Sequence, residues 1–150
     1  MSIARPTVLL VEDDPNTVLL IQRACRKAEV GFALKIVEDG ELATQYVLGK
    51  HRFADRSCFP LPELVLLDLK LPRMSGFEVL AVIRGPSSPM KRTPVVMLAS
   101  SRQAVDVNRA YELGANSYLA KPDGFEALLK MIIALGQYWF VYNQGLDVRE

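Results

Sequence analysis

The sequence predicts an α/β fold of three layers, with a parallel sheet covered by helices on both faces, and three observations carry that expectation. Short apolar runs alternate with segments of helical period along the chain. The runs are apolar at nearly every position, as strands buried on both faces must be. Three of them stop at charged residues, Glu12-Asp13, Asp68 and Lys121, which would then stand at carboxyl ends of strands.

The first strand is Thr7-Val8-Leu9-Leu10-Val11-Glu12. Asp14-Pro15 opens the first helix, because Asp accepts from a free N–H and Pro at the first helical position gives up no bond. Leu20, Ile21, Ala24, Cys25 and Ala28 recur on its inward face, with Gln22, Arg23, Arg26 and Lys27 opposite. Residues 32–37 form the second strand, and Asp39-Gly40-Glu41 starts a helix that runs to about Gly49. Residues 51–62 make a long connection in which Pro60 and Pro62 delay the third strand, residues 64–68.

Ser75 and Glu78 have capping-box spacing, so the third helix starts near Gly76 and runs to Arg84, where Gly85-Pro86-Ser87-Ser88-Pro89 stops it. Residues 94–98 form the fourth strand. The fourth helix turns Val107, Ala110 and Tyr111 inward and ends at Gly114, which suits a left-handed C-terminal position. Residues 117–120 form the fifth strand, and 123 to about 142 the last helix.

The chain has 150 residues, half of them hydrophobic, enough for one domain with a substantial core. Eighteen basic against seventeen acidic side chains leave a formal charge of +1, which argues against a general nucleic-acid or anionic-membrane binder. Cys25 and Cys58 are too few for a disulfide framework or a metal knuckle and read as reduced thiols. No run approaches ~18 uninterrupted apolar residues, and the first residues lack a signal-peptide pattern. A cytoplasmic, soluble protein is expected.

Ligands of open parallel sheets bind beyond the carboxyl ends of the strands. If the first and third strands are neighbours, Glu12, Asp13 and Asp68 converge there and Lys121 faces them. Carboxylates that close repel one another unless a cation sits among them. An all-oxygen donor set without His or Cys suits Mg²⁺ better than zinc. Asp68 is then placed to act as a nucleophile toward a phosphoryl group, with Lys121 neutralising a phosphoryl oxygen. Taken singly, each of these residues also suits a solvated strand end, and Asp14 suits a helix cap better than a ligand. Their coincidence at three strand ends favours the site.

Three segments carry a resemblance to a known family. Val8-Leu9-Leu10-Val11-Glu12-Asp13-Asp14-Pro15, Leu66-Leu67-Asp68-Leu69-Lys70-Leu71-Pro72-Arg73-Met74-Ser75-Gly76 and Ser117-Tyr118-Leu119-Ala120-Lys121-Pro122 resemble the signatures of response-regulator receiver domains. The resemblance spans about residues 6–135, leaving a C-terminal helical extension over 136–150 of a single domain, 1–150. It implies a flavodoxin-like (βα)5 sandwich of strand order 2-1-3-4-5. It further implies phosphoryl transfer from a histidine kinase to Asp68, and Mg²⁺ held by Glu12, Asp13, Asp68 and the backbone carbonyl of Lys70. A cis Lys121–Pro122 bond is also implied, although the residues themselves require only an extended Lys121.

One position departs from the pattern. The family usually carries Thr or Ser at the end of the fourth strand, coupling the phosphoryl group to an aromatic residue on the fifth. Ala99 stands there, with Ser100 and Ser101 following, while the aromatic is present as Tyr118. Strand alternation sends Ser100 to the other side. The leading function is therefore a phosphoacceptor response regulator, not an enzyme with an external product. The alternative is a degenerate receiver acting as a phosphorylation-independent interaction or dimerisation module.

The last helix is too apolar for one core-facing stripe: Leu128, Leu129, Ile132 and Leu135 serve the core, leaving Tyr138, Trp139 and Phe140 for an interface. A homodimer through the fourth helix, fifth strand and fifth helix is expected, with an unidentified downstream protein and no DNA or membrane partner. The 51–62 connection and the aromatic tail are similar to small stand-alone receivers paired with cyanobacterial phytochromes, which implies a phytochrome-type kinase. His51 reads as an ordinary loop residue rather than a phosphorelay histidine. An aspartyl phosphohydrolase would need a second acid where Lys70 stands. A flavin or nucleotide site would need a phosphate-cradling loop, which is missing.

Overall fold

The computed structural model describes residues 5–146. β1 (Thr7–Val11), β2 (Ala33–Val37), β3 (Leu64–Leu67), β4 (Val95–Ala99) and β5 (Ser117–Ala120) form one parallel sheet in the order β2-β1-β3-β4-β5. The connecting helices are α1 (Pro15–Ala28), α2 (Gly40–Leu48), α3 (Gly76–Ile83), α4 (Ala104–Glu112) and α5 (Phe125–Gln137). This is the flavodoxin-like order that the sequence resemblance implied.

The two-residue period of the strands divides the core in two. Leu9, Val11, Val65, Leu67, Val95, Met97 and Ala99 meet Val47, Leu80, Ile83 and Ala110 on the α2–α3–α4 side. Val8, Leu10, Leu64, Leu66, Val96 and Leu98 meet Ile21, Ala24, Leu128 and Ile132 on the α1–α5 side. Each fully buried Leu or Ile contributes about 1.5–3 kcal/mol. Both faces of the sheet therefore need apolar side chains, which is why the strands read as unbroken runs.

Local chemistry sets the helix ends. The Asp14 carboxylate accepts from the Asn16 N–H at 2.9 Å, with Pro15 next to it. Asp39 caps α2 through the Leu42 N–H at 2.7 Å. Ser75 and Glu78 form both bonds of the capping box, at 3.3 and 3.0 Å. Gly49 closes α2 at φ 65°, a left-handed conformation that glycine adopts without strain.

Several details differ from expectation. Glu12 and Asp68 lie one residue beyond their strands, although their N–H groups continue the ladder to Val37 and Val11 carbonyls at 3.1 and 3.0 Å. Leu20 and Tyr111 are exposed. The buried residues of α1 are Ile21, Ala24 and Cys25, a stripe too narrow to include Leu20. α4 packs only Ala110 into the core.

The long connection starts with a 3-10 turn, His51–Phe53, and builds a small core of its own. The Tyr46, Phe53 and Phe59 rings lie 5.1–6.0 Å apart, and Arg56 donates to the last carbonyls of α2 at Tyr46 and Val47. The Lys121–Pro122 bond is trans rather than cis. The last helix keeps α geometry only to Gln137 and finishes in a π-helical turn, Tyr138–Tyr142. The predicted extension over 136–150 is thus seen to residue 146, and its final four residues lie outside the described range.

Candidate functional site

The strand ladders bring the charged residues to one end of the sheet. Glu12 is 1% exposed and Asp68 7%, whereas Asp13 faces solvent. Donor oxygens of Glu12, Asp13 and Asp68 all lie within 4.8 Å of one another. Lys121 is held by its own N–H, which donates to the Ala99 carbonyl at 2.8 Å. From there its side chain passes the end of β4, and Nζ lies 2.7 Å from Glu12 Oε1 and 3.1 Å from Asp68 Oδ2. The remaining oxygens accept backbone N–H groups: Glu12 Oε2 from Asp14 at 3.2 Å, Asp68 Oδ1 from Leu69 at 2.8 Å. Asp14 itself caps α1 and stands outside the acidic cluster.

Burial pushes the Glu12 carboxyl above its ordinary range; its bond to Lys121 opposes this and the charge of Asp68 adds to it. Burial alone would lower Lys121, but the bond to Glu12 and the charge of Asp68 raise it on balance. Lys121 is therefore a firmly protonated ammonium. Three carboxylates against one ammonium leave negative charge in excess. An oxygen-only donor set with one solvent-facing member fits a hard divalent cation. Lys70 stands in the bend after Asp68, where its backbone carbonyl is the further candidate ligand.

The bend carrying Asp68 is held from both sides. A Cβ on Gly76 would lie 2.2 Å from the Asp68 carbonyl oxygen, so the start of α3 presses on that peptide, and the Gly76 N–H donates to Leu69 at 2.8 Å. A Cβ on Gly40 would lie 2.1 Å from the Met74 carbonyl oxygen, and Arg73, at φ 71°, reaches Asp39 and Glu41 at 3.5 and 3.6 Å. Sequence reasoning missed these contacts. Gly76 was visible inside a motif and Gly40 at a helix start, but the backbones that approach them were not.

Ala99 closes β4 and is buried, opposite Ala120 of β5. Tyr118 packs against the same side of the core. Its hydroxyl donates to the Ser101 carbonyl at 2.8 Å, and the Ser101 hydroxyl lies 2.5 Å from Asp106 Oδ2. Ser100 is exposed. At the tail, Trp139 and Phe140, expected at an interface, pack partly onto the α1–α5 core, with the Phe140 ring 5.4 Å from Phe32. Tyr138 is exposed as expected, joined by Val141 and Tyr142.

Comparison with known proteins identifies the family to which this fold belongs. The model of the family described as "Response regulator receiver domain" fits residues 8–133. The probable methanogenesis regulatory protein FilR2 of Methanothrix harundinacea is 39% identical over 92% of this chain and 86% of its own length. Response regulator Rcp1 of Synechocystis is 36% identical over 88% and 87%. Among solved structures, the Mn²⁺-bound form of Rcp1 superposes with a TM-score of 0.83 at 34% identity, covering 95% of this chain and 99% of that one. The phosphorylated cyanobacterial phytochrome response regulator RcpA gives 0.86 at 32%, covering 96% and 100%. With agreement in motif, fold and length, this chain belongs to the response regulator receiver domain family.

Proposed function

We propose that this chain is a single-domain response regulator that accepts a phosphoryl group on Asp68 from a phytochrome-type histidine kinase and signals through protein contact. The carrying observation is the placement of Asp68 beside two further carboxylates, with the Lys121 ammonium bridging it to one of them. The family consists of signalling proteins rather than enzymes with an external product.

In the forward step the Asp68 carboxylate attacks phosphorus, and the bond from phosphorus to the donor's histidine nitrogen breaks. That nitrogen keeps the electron pair and takes a proton from water. Glu12, Asp13, Asp68 and the Lys70 carbonyl would hold a Mg²⁺ ion, which would supply positive charge against the phosphoryl oxygens. Lys121 neutralises another of those oxygens and needs no proton transfer to do so. Hydrolysis reverses the loading: water attacks phosphorus and the carboxylate leaves, assisted by the same charges. This self-assistance is the only catalysis assigned to the chain.

The partners follow from exposed apolar surface. α1 begins at the acidic cluster and leaves Leu19 and Leu20 exposed beside it, a surface for a kinase helix. Tyr138 lines a groove beside the edge strand β5 with Leu119, Met131 and Leu135, and Tyr111 on the neighbouring α4 is exposed as well. This surface supports a homodimer and contact with a downstream protein. Among the described residues no helix is long and apolar enough to cross a membrane, and cytoplasmic location is part of this proposal. The structural relatives that are phytochrome regulators support the choice of kinase.

A phosphotransfer profile tests the reading. Phosphorylated phytochrome-type and unrelated histidine kinases are each mixed with the protein and with Asp68→Asn. Rapid transfer from the phytochrome-type kinase to the parent alone is expected. Transfer that persists in Asp68→Asn contradicts the site, and preference for an unrelated kinase contradicts the partner. The phosphate-independent alternative has less support, because nucleophile, acidic pair and lysine are all retained in register.

A further inference from the structure

The bend after Asp68 contains a turn that its residues disfavour. Arg73 has φ 71°, and the Met74 N–H donates across it to the Pro72 carbonyl at 2.8 Å. A bond of this span around a positive φ makes the rare, strained form of the γ-turn, a conformation that suits glycine rather than arginine. The start of α2 holds it in place. Arg73 Nε lies 3.5 Å from Asp39 Oδ2, and Nη1 lies 3.6 Å from Glu41 Oε2. Asp39 caps α2 with its other oxygen, so one carboxylate serves helix and turn together. The Gly40 N–H adds a second bond to the Pro72 carbonyl, at 3.3 Å, and the Thr44 hydroxyl lies 4.0 Å from the Met74 sulfur.

Little chain separates this turn from the acidic cluster. The Gly76 N–H donates to the Leu69 carbonyl at 2.8 Å, which fixes the bend on the Asp68 side. Pro72 is fixed on the other side by the N–H groups of Gly40 and Met74. Between Leu69 and Pro72 stand only Lys70 and Leu71. Relaxation of the turn at Arg73 is therefore taken up by those two residues, and the Lys70 carbonyl is the candidate ligand among them. Groups behind a metal ligand set its affinity by holding it in place.

Resting on the reading of Glu12, Asp13, Asp68 and the Lys70 carbonyl as a divalent-cation site, we propose that Arg73 is a positioning residue for that site. Gripped by Asp39 and Glu41, its side chain holds the strained turn closed, and the closed turn holds Lys70. The grip is needed because a residue with a side chain stands where glycine would rest unaided. Two consequences of losing the guanidinium then have opposite signs. By Coulomb attraction alone, removing a positive charge near the carboxylates tightens cation binding. Removing the grip lets the turn relax and loosens it.

The test measures Mn²⁺ binding to the unphosphorylated protein, from the loss of the free ion's paramagnetic resonance signal. The samples are the parent, Arg73→Gln, Arg73→Lys and Arg73→Gly, each checked for folding by thermal melting. Arg73→Gln keeps the strain without the grip and binds about threefold more weakly, a modest factor because the Arg73 side chain is 66% exposed. Arg73→Lys restores the charge and stays close to the parent. Arg73→Gly, which has no strain to hold, does not weaken. A merely structural role would lower the melting temperature and leave the affinity of the folded protein unchanged. If the parent binds no Mn²⁺, the metal-site reading falls and this proposal with it. If the parent binds and Arg73→Gln binds as tightly or more tightly, only the positioning role is overturned. Equal weakening in Arg73→Gln and Arg73→Gly overturns that role as well, since strain would then have no part in it.

Discussion

Lys121 carries a heavy electrostatic burden, since one ammonium serves two buried carboxylates. Replacing it by Ala leaves Glu12 and Asp68 facing each other without compensation, at a cost of about 3 kcal/mol. The same change slows phosphorylation by about a hundredfold. Thermal unfolding with and without Mg²⁺ checks the first effect, because the cation should stabilise the variant more than the parent; phosphoramidate kinetics check the second. Cys25 gives a separate test. Burial pushes its thiol up to about 11, while Cys58 is exposed. A thiol raised on folding contributes stability below its ordinary value of 9.0 and loses it as pH rises toward about 11. The loss amounts to at most about 3 kcal/mol. Urea midpoints should fall between pH 9 and 11, less steeply in Cys25→Ala, and mild alkylation at neutral pH should label Cys58 alone.

Elements were readable from sequence wherever their cause was local. Asp14-Pro15, Asp39-Gly40 and Ser75 to Glu78 all cap helices as expected, because a cap needs only residues within three or four positions. The unbroken apolar runs told where the strands lie for the same reason. What could not be read depends on distant partners. Leu20 and Tyr111 have helical spacing but no neighbour to bury them, a matter of how much of each helix the sheet can cover. Arg84 donates to Gly114 and Asn116, thirty or more residues away, which no local pattern announces. The contact of Gly76 with the Asp68 peptide is of this kind too. Gly76→Ala should therefore cost about 1–3 kcal/mol by overpacking. It should also displace Asp68, slowing phosphorylation beyond any loss of folded protein. Denaturant titration alongside phosphoramidate kinetics separates the two effects.

At the scale of the whole molecule, the near-neutral charge and aromatic tail pointed to protein contact, and the structure refines which residues are available for it. Trp139 and Phe140 are partly buried against the molecule's own core, Phe140 beside Phe32. Tyr138, Val141 and Tyr142 remain outside, and Tyr111 of α4 is exposed as well. The homodimer proposal accordingly predicts that Tyr111→Asp with Tyr138→Asp shifts the protein to monomer in light scattering after size exclusion, with its melting temperature little changed. Phe140→Asp should instead destabilise the fold. The site itself was readable because charged residues interrupt apolar runs at three strand ends, and the parallel sheet order then brings those ends together. The contacts of Tyr118 with Ser101 and of Ser101 with Asp106 were not, since they depend on which way a loop carbonyl and two short side chains turn.

The central claim is that Asp68 accepts a phosphoryl group with help from a divalent cation and Lys121. Intact mass after incubation with Mg²⁺ and phosphoramidate tests it most directly, with Asp68→Asn and a chelator-treated sample alongside. A single phosphoryl adduct is expected on the parent, absent from Asp68→Asn and strongly reduced without the cation. An unmodified parent, or an adduct that survives in Asp68→Asn, would contradict it.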